Sequence, residues 1–168
     1  MREKVGFHDD KRHSITTGFS FGLTSAIITT LGLMVGLHSG THSRTAVIGG
    51  VLTIAVADAF SDALGIHISE ESEGKHSERE IWISTLSTFV AKCIFAASFI
   101  VPVLLFKLTS AIWMSIGYGL LLLGIFSFFL GKQQNARPGK VIFEHITIAG
   151  TVIAVSHFLG DLIGNVLR

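Results

Sequence analysis

Residues 15–37, ITTGFSFGLTSAIITTLGLMVGL, contain no Asp, Glu, Lys or Arg, and they decide the fold class. The charge-free stretch around them extends from Ser14 to Ser43. About 20 consecutive, mostly apolar residues are enough for an α-helix to cross the hydrocarbon core of a bilayer. The run is too long for the apolar region of a cleavable signal peptide, and no small-residue cleavage site ends it cleanly. It therefore predicts a transmembrane helix.

The whole 168-residue chain has the same character, with 49% apolar and only 15% charged residues. An average soluble domain carries about 25% charged residues. Thirteen Lys and Arg are balanced by 12 Asp and Glu, which argues against nucleic acid as a partner. The single cysteine, Cys93, excludes an internal disulfide and a cysteine-rich metal site. The composition indicates an integral membrane protein whose first partner is the lipid bilayer.

Charged residues cluster between the apolar stretches, so the spans can be located by subtraction. We predict a single all-α membrane domain over residues 1–168, without a separate soluble domain, and with spans at about 15–37, 45–68, 81–106, 110–130 and 143–167. Five spans place the two termini on opposite sides. Nine Lys and Arg fall in the N-terminal segment and in the second and fourth loops, against three on the other side. The positive-inside rule then predicts a cytoplasmic N terminus.

Ionisable residues inside the spans are the main candidates for function, because a charge near the bilayer centre costs at least about 2.5–3.5 kcal/mol. Asp58 and Asp62 share one face of the second helix, and Lys92 on the third helix lies at a depth similar to that of Asp58. One interpretation is an Asp58–Lys92 ion pair that locks the two helices together. That pair leaves Asp62 unexplained. Two carboxylates with one cation leave a surplus negative charge, which can hold a divalent cation or a proton.

Two further groups of polar residues allow more than one interpretation. Glu70 and Glu73 belong to an acid-rich segment, 68–80, which is either a solvated loop or a vestibule that concentrates cations. His157 and Asp161 are four residues apart on the fifth span, with His157 near mid-membrane. They form either a satisfied buried pair or a proton relay. His38 and His42, in the short outer loop, are a weaker signal for cation passage.

Two segments resemble the vacuolar iron transporter family, which moves ferrous iron and manganese out of the cytosol. Residues 25–36, SAIITTLGLMVG, are similar to the end of its first-helix signature, and residues 57–65, ADAFSDALG, to its second-helix signature. The resemblance implies a homodimer whose first helices line a path at the two-fold axis, with export by proton antiport. The family's transport ligands, an aspartate and a methionine, correspond here to Ser25 and Asp62. The loss of the soft thioether favours manganese or another hard cation.

These observations predict a divalent-metal transporter of the iron(II) or manganese type, in which Asp62, Asp58, Ser25, Glu70 and Glu73 bind the metal. We predict that protons are relayed, or charges paired, by His157, Asp161 and Lys92. The metal is the transported substrate, and no cofactor is expected. The alternative is a non-transporting scaffold or sensor that kept the fold. No nucleophile–base pair suggests an enzyme, and the absence of a long insertion hints at a prokaryotic cell membrane.

Overall fold

The computed structural model describes the backbone of residues 2–166 and the side chains of residues 12–166. Within that range all regular structure is α-helical, which confirms the predicted all-α class. The helices are α1 (Arg2–Thr41), α2 (Arg44–Glu73), α3 (Glu78–Ser98), α4 (Ile100–Leu105), α5 (Leu108–Gln133) and α6 (Pro138–Val166).

Five segments of this described chain are long and apolar enough to cross a membrane, as the sequence predicts. The third of them, Glu78–Leu105, is divided into α3 and α4 and is not the uninterrupted helix that the hydropathy suggests. Pro102 explains the division, because it has no N–H to donate to the carbonyl of the residue four positions earlier. Phe99, between the two helices, keeps helical dihedral angles (φ −69°, ψ −12°).

The connection between α2 and α3 is shorter than the sequence predicts. α2 continues to Glu73, so Glu70 and Glu73 lie in its last turns and not in a loop over 68–80. Gly74 then adopts a positive φ of 63°, which favours glycine. Ser77 and Glu80 form a capping box at the start of α3: the Ser77 N–H donates to Glu80 Oε2 at 2.7 Å, and the Glu80 N–H donates to Ser77 Oγ at 3.4 Å.

The chain forms two compact units. The first combines the part of α1 up to Ala26 with Thr53–Ala96, which is most of α2 and α3. In it, Gly18 and Gly22 of α1 lie directly against the backbone of Ser84 and Thr88 of α3. The Thr88 hydroxyl donates a hydrogen bond to the Gly18 carbonyl at 3.1 Å. Small residues therefore allow α1 and α3 to pack closely at this contact.

The second unit combines Ile27–Leu52 with the described residues from Ala97 onward. Here the rest of α1 meets α6 through glycines on both sides. Gly160 lies against the Gly36 carbonyl, and Gly164 lies against the Gly40 backbone. Half of the most apolar window of α1 is buried, compared with 11% of that of α6. α6 is therefore anchored through its glycine face and leaves most of its surface exposed.

Replacing Gly160 by Ala should destabilise the protein by about 1–3 kcal/mol, because the new methyl group would overlap the Gly36 carbonyl oxygen. Gly150→Ala is the matched control on the same helix, since a Cβ there meets no atom within 4 Å. Thermal unfolding in detergent should show a lower midpoint for the first variant only. Equal midpoints would mean that this contact is looser than described.

Candidate functional site

The first unit places one basic and two acidic side chains together inside candidate membrane spans. Asp58 and Asp62 lie one turn apart on α2, and Lys92 lies on α3. Lys92 belongs to the buried face of α3. Ser84, Thr88 and Lys92 follow one another at intervals of about one helical turn and form a polar stripe along that face. The close approach of α1 at Gly18 and Gly22 brings Ser25 to the same level. We refer to Ser25, Asp58, Asp62 and Lys92 as the carboxylate–lysine cluster.

Lys92 is the centre of the cluster. Its Nζ forms ion pairs with Asp58 Oδ2 and Asp62 Oδ2, and it donates a hydrogen bond to Ser25 Oγ at 2.7 Å. An ammonium group has three N–H donors and no acceptor. Asp62 and Ser25 accept hydrogen bonds from this completely buried ammonium (the side chain is 0% exposed), and Asp58 contributes a second negative charge through its ion pair.

One interpretation of the sequence is an ion pair between Lys92 and Asp58 that leaves Asp62 unexplained. That pair is present in the structure, and Lys92 also contacts Asp62. Because Asp58 and Asp62 are one turn apart, a single long side chain from α3 can reach both. With all three groups ionised, the cluster still carries one surplus negative charge. The two carboxylates that carry this charge are accessible from outside the unit, since the Asp58 and Asp62 side chains remain 29% and 17% exposed.

Glu70 and Glu73 have different surroundings from each other. Glu70 is buried and accepts a hydrogen bond from the Ser84 hydroxyl of α3. Glu73 is exposed, and its carboxylate lies 3.7 Å from Lys75 Nζ. Ser84 was not singled out from the sequence. The signal that identifies it is the four-residue spacing of Ser84, Thr88 and Lys92, which places polar groups on one face of an apolar helix.

The second unit contains the His157–Asp161 pair. His157 Nε2 lies 3.5 Å from Asp161 Oδ2, and His157 Nδ1 contacts the Ser39 hydroxyl of α1. The two side chains are 61% and 49% exposed, so they are not the buried pair that was one of the expectations. Ser39 is two residues from the end of α1 at Thr41. His157 therefore lies beside the end of that helix, whereas the sequence suggested a position near mid-membrane.

No group of three or more His, Cys, Asp or Glu side chains in the described part of the chain is placed to hold a metal ion. In the carboxylate–lysine cluster, the ammonium group lies where a cation would bind the two aspartates. A divalent ion held there would need to displace the ammonium and to take further oxygen ligands from water or another chain.

Replacing Lys92 by Met should lower the free energy of unfolding by about 3–5 kcal/mol, because two carboxylates lose their shared cation. The triple variant that adds Asp58→Asn and Asp62→Asn should recover most of the loss. Lys140→Met is the matched control, since Lys140 is exposed and 3.7 Å from Glu144, and such a pair contributes about 0–1 kcal/mol. Denaturant titration in detergent measures all three. A small effect of Lys92→Met would show that the cluster is hydrated.

No protein-family model matches the chain, and no characterised protein matches it. The resemblance to the vacuolar iron transporters therefore stays a prediction.

Proposed function

We propose that this protein transports a hard divalent cation across a membrane and that Asp58 and Asp62 bind the cation. The observation that carries the proposal is the composition of the carboxylate–lysine cluster: two carboxylates surround one ammonium group within candidate membrane spans. An ion pair that only locks α2 to α3 needs a single carboxylate. A second one adds about 2.5–3.5 kcal/mol to the cost of membrane insertion, so its presence favours a role in binding.

The exposure of the cluster supports the same proposal. Lys92 is completely buried, whereas both aspartates keep part of their surface open. The ammonium thus approaches the carboxylates from within the unit and leaves their other side accessible to an ion. In this proposal Lys92 acts as a tethered cation that compensates the two carboxylates between transport events. The Ser25 hydroxyl, which already accepts a hydrogen bond from Lys92, retains the ammonium when the cargo displaces it.

The donor set favours manganese or iron(II) in that order. Asp58, Asp62 and Ser25 offer only oxygen atoms, and hard oxygen ligands suit Mn²⁺ better than metals that prefer sulfur. Carboxylates that release the cargo can bind protons in its place, which would give proton antiport. Glu70 and Glu73 would attract cations to the nearby end of α2.

A homodimer would complete the site. Partly exposed carboxylates within a membrane span are unfavourable against lipid, and a second copy of the chain would both cover them and contribute further oxygen ligands. The distribution of Lys and Arg puts the N terminus on the cytoplasmic side and the C terminus opposite, so the proposed direction is export from the cytosol. We place the protein in a prokaryotic cell membrane.

The second candidate is a non-transporting membrane protein in which the cluster is structural. The hydrogen bonds from Lys92 to Asp62 and Ser25, together with its ion pair to Asp58, favour it, because an ammonium group held in this way joins the helices without a further ligand. This candidate predicts neither ion flux nor stabilisation by any divalent cation, so the two experiments below separate it from the transporter.

Asp62→Asn should reduce Mn²⁺ uptake into proteoliposomes at least about tenfold, because one of the two charged ligands is lost. Glu144→Gln, which neutralises an exposed acid on α6, is the matched control and should transport as the unmodified protein does. Thermal unfolding of each variant before reconstitution verifies that it is folded. Undiminished uptake by Asp62→Asn would exclude the proposed site.

Lys92→Met should respond to Mn²⁺ more strongly than the unmodified protein, because the ion no longer competes with the ammonium group for Asp58 and Asp62. A concentration of Mn²⁺ 100-fold above its Kd would stabilise the variant by about 2.7 kcal/mol. The measurement is the unfolding midpoint with and without the ion. The variant that also carries Asp58→Asn and Asp62→Asn should show no response, and an equal response from it would place the ion elsewhere.

A further inference from the structure

The outward face of α3 carries a line of exposed side chains that the proposed transport function does not use: Arg79, Trp82, Leu86 and Val90. They follow one another at intervals of three or four residues, so they share one face of the helix. Trp82 and Leu86 are 63% and 62% exposed. We refer to these four residues as the α3 ridge. Lys92 of the carboxylate–lysine cluster belongs to the buried face of the same helix.

Two apolar grooves flank the α3 ridge within the first unit. One lies between α3 and α1, has a volume of about 420 Å³ and is lined on the α1 side by Ile15 and Phe19. The other lies between α3 and α2, has a volume of about 570 Å³ and is lined on the α2 side by residues that include Phe60 and His67. Leu86 lines both grooves. The grooves thus follow α3 on either side of one side chain, which matches the two acyl chains of a single lipid.

Side-chain contacts between α2 and α3 fix the wall of the wider groove. His67 Nδ1 lies 3.0 Å from the Thr85 hydroxyl, so the polar atoms of this wall are paired with each other. The His67 ring meets Trp82 edge to face at 4.8 Å between centroids, and Phe60 and Phe89 lie 4.7 Å apart. These aromatic contacts hold the groove open before any ligand enters it.

Two arginines stand at the same end of the grooves. The glycine contacts of the first unit show that α1 and α3 run in the same direction, with Gly18 level with Ser84. Arg12 is six residues before Gly18, and Arg79 is five residues before Ser84, so the two arginines lie at nearly the same height. Both are exposed. Arg12 also precedes Ile15 by about one turn, which places it above the groove on the α1 side.

The height of the arginines corresponds to the headgroup region of a bilayer. Lys92 lies at the middle of the third candidate span, Glu78–Leu105. Arg79 is about 20 Å from Lys92 along the helix axis, and Trp82 is about 15 Å from it. The hydrocarbon core of a bilayer extends about 15 Å on each side of its centre. Trp82 therefore lies at the boundary that tryptophan prefers, and Arg79 lies at the level of lipid phosphates.

Charge complementarity indicates which lipid the grooves hold. Lipid tails are as apolar as the groove walls, so the grooves alone do not select an occupant. A guanidinium group binds phosphate through parallel N–H bonds, and basic residues at the ends of membrane helices recognise lipid headgroups. Glu78, which is exposed and one turn before Trp82, adds a negative charge at the same end. A headgroup with both a phosphate and an ammonium group matches this mixture of charges.

We propose that the α3 ridge and its two grooves bind one diacyl phospholipid of the phosphatidylethanolamine type. The acyl chains lie on either side of Leu86, and the phosphate lies between Arg12 and Arg79. The ammonium group of the lipid faces Glu78. The site does not depend on transport, because it uses the outward face of α3 and none of the residues of the carboxylate–lysine cluster.

The test is native mass spectrometry of the purified full chain in detergent, titrated with dioleoyl phosphatidylethanolamine. We expect one lipid to be retained per chain. The double variant Arg12→Gln, Arg79→Gln should weaken binding about tenfold or more, because both phosphate partners are lost. Its unfolding midpoint without lipid should equal that of the unmodified chain, since both side chains are exposed. Arg137→Gln removes an exposed arginine of the second unit and is the matched control, which should bind normally.

Two further lipids and one further variant complete the test. Dioleoylglycerol lacks the phosphate and lysophosphatidylethanolamine lacks one chain, so each should bind more weakly than the full phospholipid. Asp62→Asn should bind the phospholipid normally whether or not it transports Mn²⁺, which separates this site from the proposed function. The proposal is overturned if no phospholipid is retained at one per chain, as when a second copy of the chain covers this face. Equal binding by the double arginine variant, or by either truncated lipid, would overturn it as well.

Discussion

A lysine ammonium removed from water must find polar partners for its charge and its protons, and Lys92 finds them on two other helices. Asp58 and Asp62 on α2 and Ser25 on α1 meet Nζ at one point. The first unit thus has a polar centre inside an otherwise apolar assembly. Removing Lys92 would leave two carboxylates without their shared cation, so α1, α2 and α3 all depend on the position of this one side chain.

Glycine makes this polar centre possible. A side chain at Gly18 or Gly22 would separate α1 from α3, and Ser25 could then no longer reach Lys92. Glycines also allow close packing of α1 and α6 in the second unit, where Gly160 and Gly164 lie against the backbone of Gly36 and Gly40. That contact brings Ser39 to His157. In both units a close backbone approach determines which polar side chains can meet.

Much of the fold was predictable from the sequence, because the cost of placing each residue in lipid depends on the residue itself. Hydropathy determined the helical class and the five spans, and the four-residue spacing placed Asp58 with Asp62 and His157 with Asp161. Pro102 divides the third span into α3 and α4, and a hydropathy profile does not show this division. Only the tertiary structure decided that Lys92 contacts both aspartates, that Glu70 is buried against Ser84, and that the Ser39 hydroxyl contacts His157. Those pairings depend on how closely and at what rotation the helices pack, which no single segment encodes.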